Sequence, residues 1–391
     1  MTRPMGPTLD DPHYKKTVAF RIGGVSLSFR VSQTLFSSHG IDTGTEFLLR
    51  TIHRTEGECR KVLDLGCGYG PIGVTMKALH PDADVHMVDR DALAVRYAAQ
   101  NAALNGHADV AAYASIGFDD IEDRDFDLIA TNIPGKAGQS VIASWLTEAP
   151  LFLRPGGQVA LVVVSALESL VEEVLSGIPS SETVLRQRRA GHTVLLYTAE
   201  PVQDLPIPFA SSFDRGVYDR TLVTVTHKRT EYSSKTVFGL PQFDSLSHRT
   251  LLLFDVLEGL KRQPIGKSIL ALNPGQGHVP VLTSKLFTPS SIALVDRDLL
   301  TLRCAARGLS MNGYDPSRVS SHHVEKLEDD ESQYDLVVAE MRDDEGPEAI
   351  ASLFRQAASR LIPSGQMVVS ASSSSITRLT NTISLGWGHK V

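Results

Sequence analysis

The sequence has few cysteines and no long apolar run. Cys59, Cys67 and Cys304 are the three cysteines in 391 residues, and they have no paired spacing. We therefore expect neither a disulfide framework nor a zinc site. Cysteine usage of this kind fits a reducing, cytoplasmic location. The longest apolar run, around residues 159–164, is strand-sized, whereas a membrane helix needs roughly 18–20 residues. The histidines show no metal-ligand spacing either, so we expect neither a membrane nor a metal among the partners.

The chain also lacks an excess of positive charge. Its formal net charge is −7, and the first 200 residues carry 18 Lys and Arg against 24 Asp and Glu. The remaining residues carry 20 against 21, so neither half has the strongly basic surface of a general nucleic-acid binder. The densest basic cluster is Arg186, Arg188 and Arg189. This cluster is either a solvated face or a local contact for RNA phosphates.

What the sequence does have is an internal repeat. The segment from Val62, VLDLGCGYGPIGVTMKALHP, matches ILALNPGQGHVPVLTSKLFT from Ile269, which begins 269 − 62 = 207 residues later. At the same offset, MVDRDALAVRYAAQNAALNG from Met87 matches LVDRDLLTLRCAARGLSMNG from Leu294. Matches that keep one order and one offset are typical of a duplicated domain.

The repeat continues and sets the domain boundary. FDLIATN at Phe126–Asn132 meets YDLVVAE at Tyr334–Glu340, one residue further out of register. Three prolines in residues 201–210 resist helix and interior strand, as in a linker. We therefore predict two domains, residues 1–200 and residues 201–391.

Periodicity predicts an α/β fold for each half. Each half is expected to open with a β-hairpin, and short apolar runs then alternate with segments of helical spacing. Alternation of this kind indicates a parallel sheet with helices on both faces, and ligands that bind at the carboxyl ends of the strands. In the first half the predicted elements are strands at 62–65, 85–88, 126–131 and 158–165, and helices at 71–79, 92–104 and 145–153.

A glycine-rich loop follows the first of these strands and precedes a helix. It reads Asp64-Leu65-Gly66-Cys67-Gly68-Tyr69-Gly70, and Asp89 closes the next strand. Glycines let the backbone turn sharply and approach a ligand, and an acid at the second strand end suits ribose hydroxyls. The D-x-G-x-G-x-G spacing differs from the G-x-G-x-x-G of dinucleotide sites, so a dinucleotide is not the expected ligand.

These residues resemble the class I S-adenosylmethionine-dependent methyltransferases. The resemblance implies two tandem Rossmann-like folds with a mostly parallel seven-stranded sheet, and S-adenosylmethionine as the cofactor. It implies that the loop passes under the methionine part, with Asp64 orienting its amino group. It further implies that Asp89 binds the ribose, that Arg90 lies beside the adenine, and that Ser115 and Ile116 line the adenine. The family's frequent acidic residue is missing from this last segment.

The strand at Phe126 leads into Asn132-Ile133-Pro134-Gly135. Relatives that methylate an amino nitrogen carry Asn or Asp, two prolines and an aromatic residue here. A side-chain carbonyl and a backbone carbonyl would accept the two N–H bonds of the acceptor amine and aim its lone pair at the methyl group. Asn132, Ile133 and Pro134 are thus the predicted catalytic residues, and Asn132 also borders the cofactor. Gly135 and Lys136 are predicted to bind substrate in a small, cationic loop.

A second resemblance narrows the substrate. FRVSQTLFSSHGIDTGTEFLL, from Phe29, is similar to the segment before the cofactor domain in tandem-domain ribosomal RNA guanine-N2 methyltransferases of the small-subunit type. The resemblance implies that Phe36, Asp42 and Thr45 bind substrate and that the acceptor is a guanine amino group in ribosomal RNA. Two alternatives stay open: an N- or O-methyltransferase of a small molecule, and a non-catalytic protein that binds cofactor or RNA.

The second copy is predicted to be degenerate. At the positions of Asp64, Gly66 and Cys67 it has Ala271, Asn273 and Pro274, and Asn132-Ile133-Pro134-Gly135 becomes Glu340-Met341-Arg342-Asp343. An acid in place of the amide would repel an anionic substrate. We therefore expect a fold kept without catalysis, as a platform for substrate or a stabilising partner.

Overall fold

The computed structural model describes the chain in two compact units, which divide between Tyr218 and Asp219. Apart from Ala210, the predicted linker at residues 201–210 lies outside the described residues. The described residues are 11–55, 57, 59–200, 210–327, 332–342, 345–373 and 375–377.

The first unit combines a hairpin with a seven-stranded sheet. The sheet has the strand order β5-β4-β3-β6-β7-β9-β8, in which β9 runs antiparallel to β7 and β8 and the other pairs are parallel. Its elements are β1 (Tyr14–Ile22), β2 (Val25–Ser32), α1 (Thr43–Thr55), β3 (Lys61–Leu65), α2 (Pro71–Leu79), β4 (Asp84–Asp89), α3 (Ala92–Leu104), β5 (Ala111–Ala114), β6 (Phe126–Asn132), α4 (Gln139–Glu148), β7 (Leu153–Val164), α5 (Glu168–Ser176), β8 (Glu182–Arg189) and β9 (His192–Thr198).

Both faces of this sheet are buried, as its continuous apolar strands require. Along β3, Val62 packs into one core and Leu63 into the other; on β6, Leu128 and Ile129 divide in the same way. Successive side chains of a strand point to opposite faces, so an apolar residue at every position buries both sides. The parallel α/β architecture predicted from the sequence is therefore confirmed.

The second unit repeats the hairpin and the centre of the sheet. Its described residues form a five-stranded parallel sheet in the order β14-β13-β12-β15-β16. The elements are β10 (Asp219–His227), β11 (Thr230–Val237), α6 (His248–Leu260), β12 (Ser268–Leu272), α7 (His278–Phe287), β13 (Ser291–Asp296), α8 (Leu299–Met311), β14 (Val319–His323), β15 (Tyr334–Glu340), α9 (Pro347–Ser359) and β16 (Leu361–Ser370).

The duplication extends to individual hydrogen bonds. Asn105 caps α3 and clamps the first hairpin, accepting from Ser28 N at 2.9 Å and donating to Ser28 O at 2.8 Å. Asn312 makes the same pair of bonds with Ser233, at 3.0 and 2.7 Å. The Asn-Gly pair that reads as a helix stop in the sequence therefore also fastens each hairpin to its own domain.

Two predicted boundaries differ from the structure. The helix expected at 145–153 begins earlier, at Gln139, directly after Gly138, whose φ of 94° is not helical. The strand expected at 158–165 begins at Leu153, because a register irregularity against β6 accommodates the Pro-Gly-Gly sequence inside the strand. Neither shifted boundary includes a predicted site residue.

Candidate functional site

The site elements meet because of strand order. Strands β4, β3 and β6 are adjacent and parallel, so the loops after them emerge at one edge of the sheet. The glycine loop follows β3, Asp89 ends β4 and Asn132 ends β6. The structure therefore brings together the three groups of residues that the sequence singled out.

The glycine loop is held to the neighbouring strand by its backbone. The N–H groups of Gly66 and Cys67 both donate to the Val88 carbonyl at 2.9 Å. Gly68 has a φ of +55°, and a Cβ there would have no described atom within 4 Å, so the loop faces open space at this point. Gly70 has a φ of +87° and a Cβ there would lie 3.1 Å from the Ala98 Cα, so it permits the close approach of helix α3.

Two carboxylates frame this loop. Asp64 is fully buried and its Oδ2 accepts from Gly73 N at 2.8 Å, whereas its Oδ1 has no hydrogen-bond partner within the described part of the chain. Burial raises the pKa of Asp64 to about 7. Asp89 accepts from Gly68 N at 2.9 Å, and desolvation, followed by the nearby Asp91 carboxylate, raises its pKa to about 6. Both acids thus disfavour their charged forms until a partner of opposite charge or a hydrogen-bond donor arrives.

The segment after β5 forms a tight bend beside the acid of β4. Ser115 N donates to the Asp89 carbonyl at 3.1 Å, and its hydroxyl donates to the Gly117 carbonyl at 2.7 Å. Ile116 is fully buried, and its N–H donates to Asp120 Oδ2 at 3.2 Å. An acidic side chain, that of Asp120, therefore closes the bend four residues after Ile116.

Asn132 is fixed by residues from the start of α1. Its Nδ2 donates to Asp42 Oδ2 at 3.1 Å and to Thr45 Oγ1 at 2.9 Å. Asp42 also accepts from Gly44 N at 2.9 Å, which caps the helix. With both hydrogens of the amide nitrogen used, the Asn132 carbonyl oxygen is left as an acceptor in a defined direction.

The loop after Asn132 is exposed where the aromatic residue of the relatives would stand. Ile133 is 3% exposed and its N–H donates to the Val162 carbonyl at 3.0 Å. The Pro134 carbonyl accepts from Ala137 N at 3.0 Å, closing a turn that exposes Gly135 and Lys136.

Phe36 lies on a loop that is tied to the same site. Its side chain is 68% exposed, on the segment that leads into Asp42. The Tyr69 hydroxyl of the glycine loop donates to the Gly40 carbonyl at 3.0 Å, and Ser37 donates to the same carbonyl at 2.6 Å. An exposed aromatic ring is thus carried on a loop whose far end is anchored to both the glycine loop and Asn132.

Sequence patterns did not single out three further residues at this edge. Tyr69 anchors the Phe36 loop, and the ring of Trp145 lies against Gly66 and Gly117, 3.5 Å and 2.7 Å from the Cβ each would carry. The His192 ring packs on Gly44, within 2.9 Å of such a Cβ. Tyr69 occupies an unspecified position of the glycine-rich loop, and no short motif contains Trp145 or His192, which loop closure and strand pairing bring in from distant parts of the chain.

The donor set fits a nucleotide-type cofactor. Open space above Gly68, an acid at the end of β4 and a buried carboxylate oxygen without a partner suit a ribose and a cationic group. Among the described residues no group of three His, Cys, Asp or Glu side chains could hold a metal ion. No helix within the described ranges is long and apolar enough to cross a membrane.

The equivalent place in the second unit is occupied by the protein itself. Arg342 forms an ion pair with Asp296, the counterpart of Asp89, and Asp296 is 2% exposed. Asn273, which replaces Gly66, donates its Nδ2 to the Glu340 carbonyl at 3.1 Å. Glu340 replaces Asn132 but still accepts from Thr250 at 2.6 Å, and burial raises its pKa. The hydrogen bond between the helix and the strand, here Thr250 to Glu340, is thus kept in the second unit. The guanidinium of Arg342 pairs with Asp296, the carboxylate that would otherwise be available to a ribose.

The basic cluster is largely neutralised. Arg188 and Arg186 both donate to Glu168, at 2.7 Å each, and Arg186 also pairs with Glu172. The hydrogen bond from Arg188 leads the effects that lower the pKa of Glu168 to about 2. These contacts favour the interpretation of this cluster as a solvated, internally paired face.

Taken together, fold and site define a class I methyltransferase-type domain, present twice. The family model for the methyltransferase small domain matches residues 26–190 and 230–380. The chain belongs to this family.

Individual relatives extend the comparison. The chain is 31% identical over 170 residues to the uncharacterized protein YbxB of Bacillus subtilis, covering 41% of this chain and 84% of that protein. It is 37% identical over 132 residues to ribosomal RNA small subunit methyltransferase C of Hahella chejuensis, covering 33% of this chain and 37% of that one. The match therefore spans little more than a third of that enzyme's length.

A solved structure shares the whole two-domain fold. It is the T. thermophilus 16S rRNA N2 methyltransferase RsmC in complex with AdoMet and guanosine, at a TM-score of 0.67 and 18% identity. The alignment covers 95% of this chain and 94% of that chain. At this identity the similarity establishes the fold, and both copies are part of it.

Proposed function

We propose that the first unit is an S-adenosylmethionine-dependent N-methyltransferase whose acceptor is the exocyclic amino group of a guanine in ribosomal RNA. The observation that carries the proposal is the orientation of Asn132, whose amide nitrogen is held by Asp42 and Thr45. This arrangement leaves the side-chain carbonyl oxygen of Asn132 free to accept a hydrogen bond from the amino group that is to be methylated. The H. chejuensis relative, a ribosomal RNA methyltransferase, and the T. thermophilus structure with AdoMet and guanosine support the same substrate class.

The residues around the glycine loop would hold the cofactor. Asp89 would accept from the ribose hydroxyls, Arg90 would lie beside the adenine, and Asp64 would face the amino group. When bound, S-adenosylmethionine supplies a methyl group on a sulfonium, a strong electrophile that needs no metal. Ser115 and Ile116 would act through the bend that they fix beside Asp89, because both side chains are buried.

Asn132 and Ile133 would position the acceptor. The amino group of guanine is a weak nucleophile because its lone pair is delocalised into the ring. Two carbonyl acceptors, the side chain of Asn132 and the backbone of Ile133, would hold both N–H bonds and direct the nitrogen lone pair. Pro134 keeps the turn that places the second carbonyl. No strong general base is required while the amine is held in this way.

Phe36 would supply the aromatic surface that Gly135 lacks. A base–aromatic stack contributes about 1–3 kcal/mol in single-stranded nucleic-acid binding. Phe36 is exposed and its loop is anchored at Gly40 and Asp42, so its ring is available to an extruded base. Lys136 is exposed on the turn after Asn132, where it would suit a phosphate.

Transfer of label separates this proposal from its competitors. Purified protein, radiolabelled cofactor and undermethylated small-subunit ribosomal RNA should place label in the RNA fraction. Label that appears only in small molecules of a cell extract would favour a small-molecule acceptor, which the −6 charge of the first 200 residues makes the main competitor. Cofactor binding without transfer to either fraction would indicate a non-catalytic binding protein.

Cofactor binding should release protons near neutral pH. The raised pKa values of Asp64, about 7, and Asp89, about 6, mean that both are partly protonated at pH 6.5. A cationic ligand favours the carboxylate forms, so the pKa values fall on binding and protons leave. Calorimetry in buffers of different ionisation enthalpy should show this release at pH 6.5. It should vanish at pH 8.5, and a release unchanged at pH 8.5 would contradict the assignment.

One cofactor should bind per chain. In the second unit the Arg342–Asp296 ion pair satisfies the acid that a ribose would need, and Asn273 bonds across the loop. Isothermal titration with S-adenosylmethionine should therefore give a stoichiometry of about one. The Asp296 carboxylate already pairs with Arg342, so it would gain little from a hydrogen bond to a ribose hydroxyl. A stoichiometry of two would show that the second unit retains a working cofactor site.

A further inference from the structure

A short segment outside the predicted catalytic domain folds onto the cofactor end of the first unit. Residues 210–218, here called the strap, follow β9 and end where β10 of the second unit begins. They cluster with the first unit, although the repeat places them in the second half. Phe213 and Tyr218 are only 5% and 4% exposed, so the strap packs as part of the first unit.

Three polar contacts fasten the strap. Ser212 N donates to Asp119 Oδ1 at 2.6 Å, just after the bend that follows β5. Arg215 forms an ion pair with Glu148 of α4 at 2.6 Å. At the start of the same helix, the Ser140 hydroxyl donates to the Val217 carbonyl at 2.7 Å. The strap is thus tied both to the segment that follows β5 and to helix α4.

Tyr218 directly follows Val217, whose carbonyl accepts the hydrogen bond from Ser140 of α4. Its phenol is buried beside Trp145, with Arg90, Asp119 and Glu148 close enough to affect its ionisation. The Trp145 ring in turn lies against Gly66 of the cofactor loop and Gly117 of the bend after β5. The residues around Tyr218 are therefore those that border the adenine position, beyond the ribose acid of β4.

We infer that the strap completes the adenine pocket, with the buried Tyr218 ring supporting the partly exposed Trp145 ring that the base would contact. This inference rests on the proposed function, because it assumes that the first unit binds S-adenosylmethionine. It adds that the isolated first half, residues 1–200, lacks part of its cofactor site. The flat Trp145 ring suits a purine and would select for the adenine end of the ligand, while Tyr218 holds that ring in place.

Two ligands and matched variants test the inference in the full chain. Tyr218→Ala should weaken binding of S-adenosylmethionine about tenfold or more, while Tyr218→Phe, which keeps the ring, should remain near wild type. The same loss should appear for 5′-methylthioadenosine, which has the adenine and ribose but no amino acid. Tyr14→Ala, at a tyrosine that is 40% exposed on the first hairpin, should bind both ligands normally.

The readout is calorimetric affinity, with thermal unfolding of each ligand-free variant as the check on folding. Affinity of Tyr218→Ala equal to wild type would overturn the inference, as would a loss for S-adenosylmethionine without one for 5′-methylthioadenosine. If Tyr218→Ala fails to fold, Arg215→Ala, which releases the strap from Glu148, should still weaken both ligands, and unchanged affinity there would overturn it equally. A wild-type chain that binds neither ligand would instead refute the proposed function on which the inference rests.

Discussion

Asn132→Ala should reduce methyl transfer by at least about 100-fold and leave cofactor affinity within about twofold of wild type. Removing one preorganised hydrogen-bonding group from an active site typically costs this much in rate. The residual protein should remain folded, because Asn132 is only partly buried and its bonds to Asp42 and Thr45 lie at the rim of the site. Single-turnover transfer to ribosomal RNA, with calorimetry for the cofactor, measures both quantities.

The second unit offers the matched control for this substitution. Glu340 occupies the equivalent place, and Glu340→Gln keeps an acceptor for Thr250. Transfer by this variant should equal wild type, since the second unit is proposed to be inactive. Thr45→Val should give an intermediate loss, because it frees the Asn132 amide to rotate while leaving the amide present. Full activity of Asn132→Ala would show that the acceptor is held elsewhere.

Asp89→Asn should weaken S-adenosylmethionine binding about tenfold or more. A hydrogen bond to a charged group is worth about 1.5–3 kcal/mol, and the substitution removes the charge that two ribose hydroxyls would use. The amide oxygen can still accept from Gly68 N, but the bond from Asp91 N to the other carboxylate oxygen is lost, so thermal unfolding of the ligand-free variant serves as the check on folding. Equilibrium calorimetry at pH 8, above the pKa of about 6 of Asp89, compares the variant with a fully ionised wild type.

Asp296→Asn is the control on the other copy. Asp296 is paired with Arg342, so its charge should contribute to the stability of the second unit and not to cofactor affinity. A small fall in the unfolding temperature with unchanged cofactor affinity is the expected outcome. Equal losses of affinity in both variants would show that the two copies share the cofactor.

The fold could be predicted from the sequence because the same alternation of short apolar runs and helical segments occurs in both halves. Short apolar runs ended by glycine or an acid predicted β3 and β4, and helical spacing predicted α3 with its observed bounds, 92–104. The start of α4 was missed although Val141 and Ile142 already keep helical spacing with Trp145 and Leu146, because the helix begins directly after Gly138 with no side-chain cap to mark it. The start of β7 was missed because Pro-Gly-Gly normally ends a strand, whereas here a register irregularity absorbs it.

The site was predictable only where it lies on contiguous motifs. The glycine loop, Asp89 and Asn132 each end a strand, so strand alternation alone places them at one edge. The hydrogen bonds from Asn132 to Asp42 and Thr45 join residues 90 and 87 positions apart, and no local pattern encodes them. The Trp145 ring likewise lies against Gly66 and Gly117, far from it along the chain, so its place beside the glycine loop emerges only from the folded structure.

The second copy has a physical reason to persist without catalysis. It keeps its own hairpin clamp at Asn312 and its own buried core, while Arg342 replaces a ligand at Asp296. An acid left buried without a partner would cost stability, so the ion pair is a natural end point once cofactor binding is lost.

The identity of the methylated nucleoside tests the central claim most directly. Small-subunit ribosomal RNA methylated by the purified chain would be digested to nucleosides and resolved by mass spectrometry, with Asn132→Ala as the inactive reference. The account predicts N2-methylguanosine in the wild-type reaction and its loss in the variant. A methyl group on a ribose oxygen, on a different base, or in equal amount with the variant would contradict it.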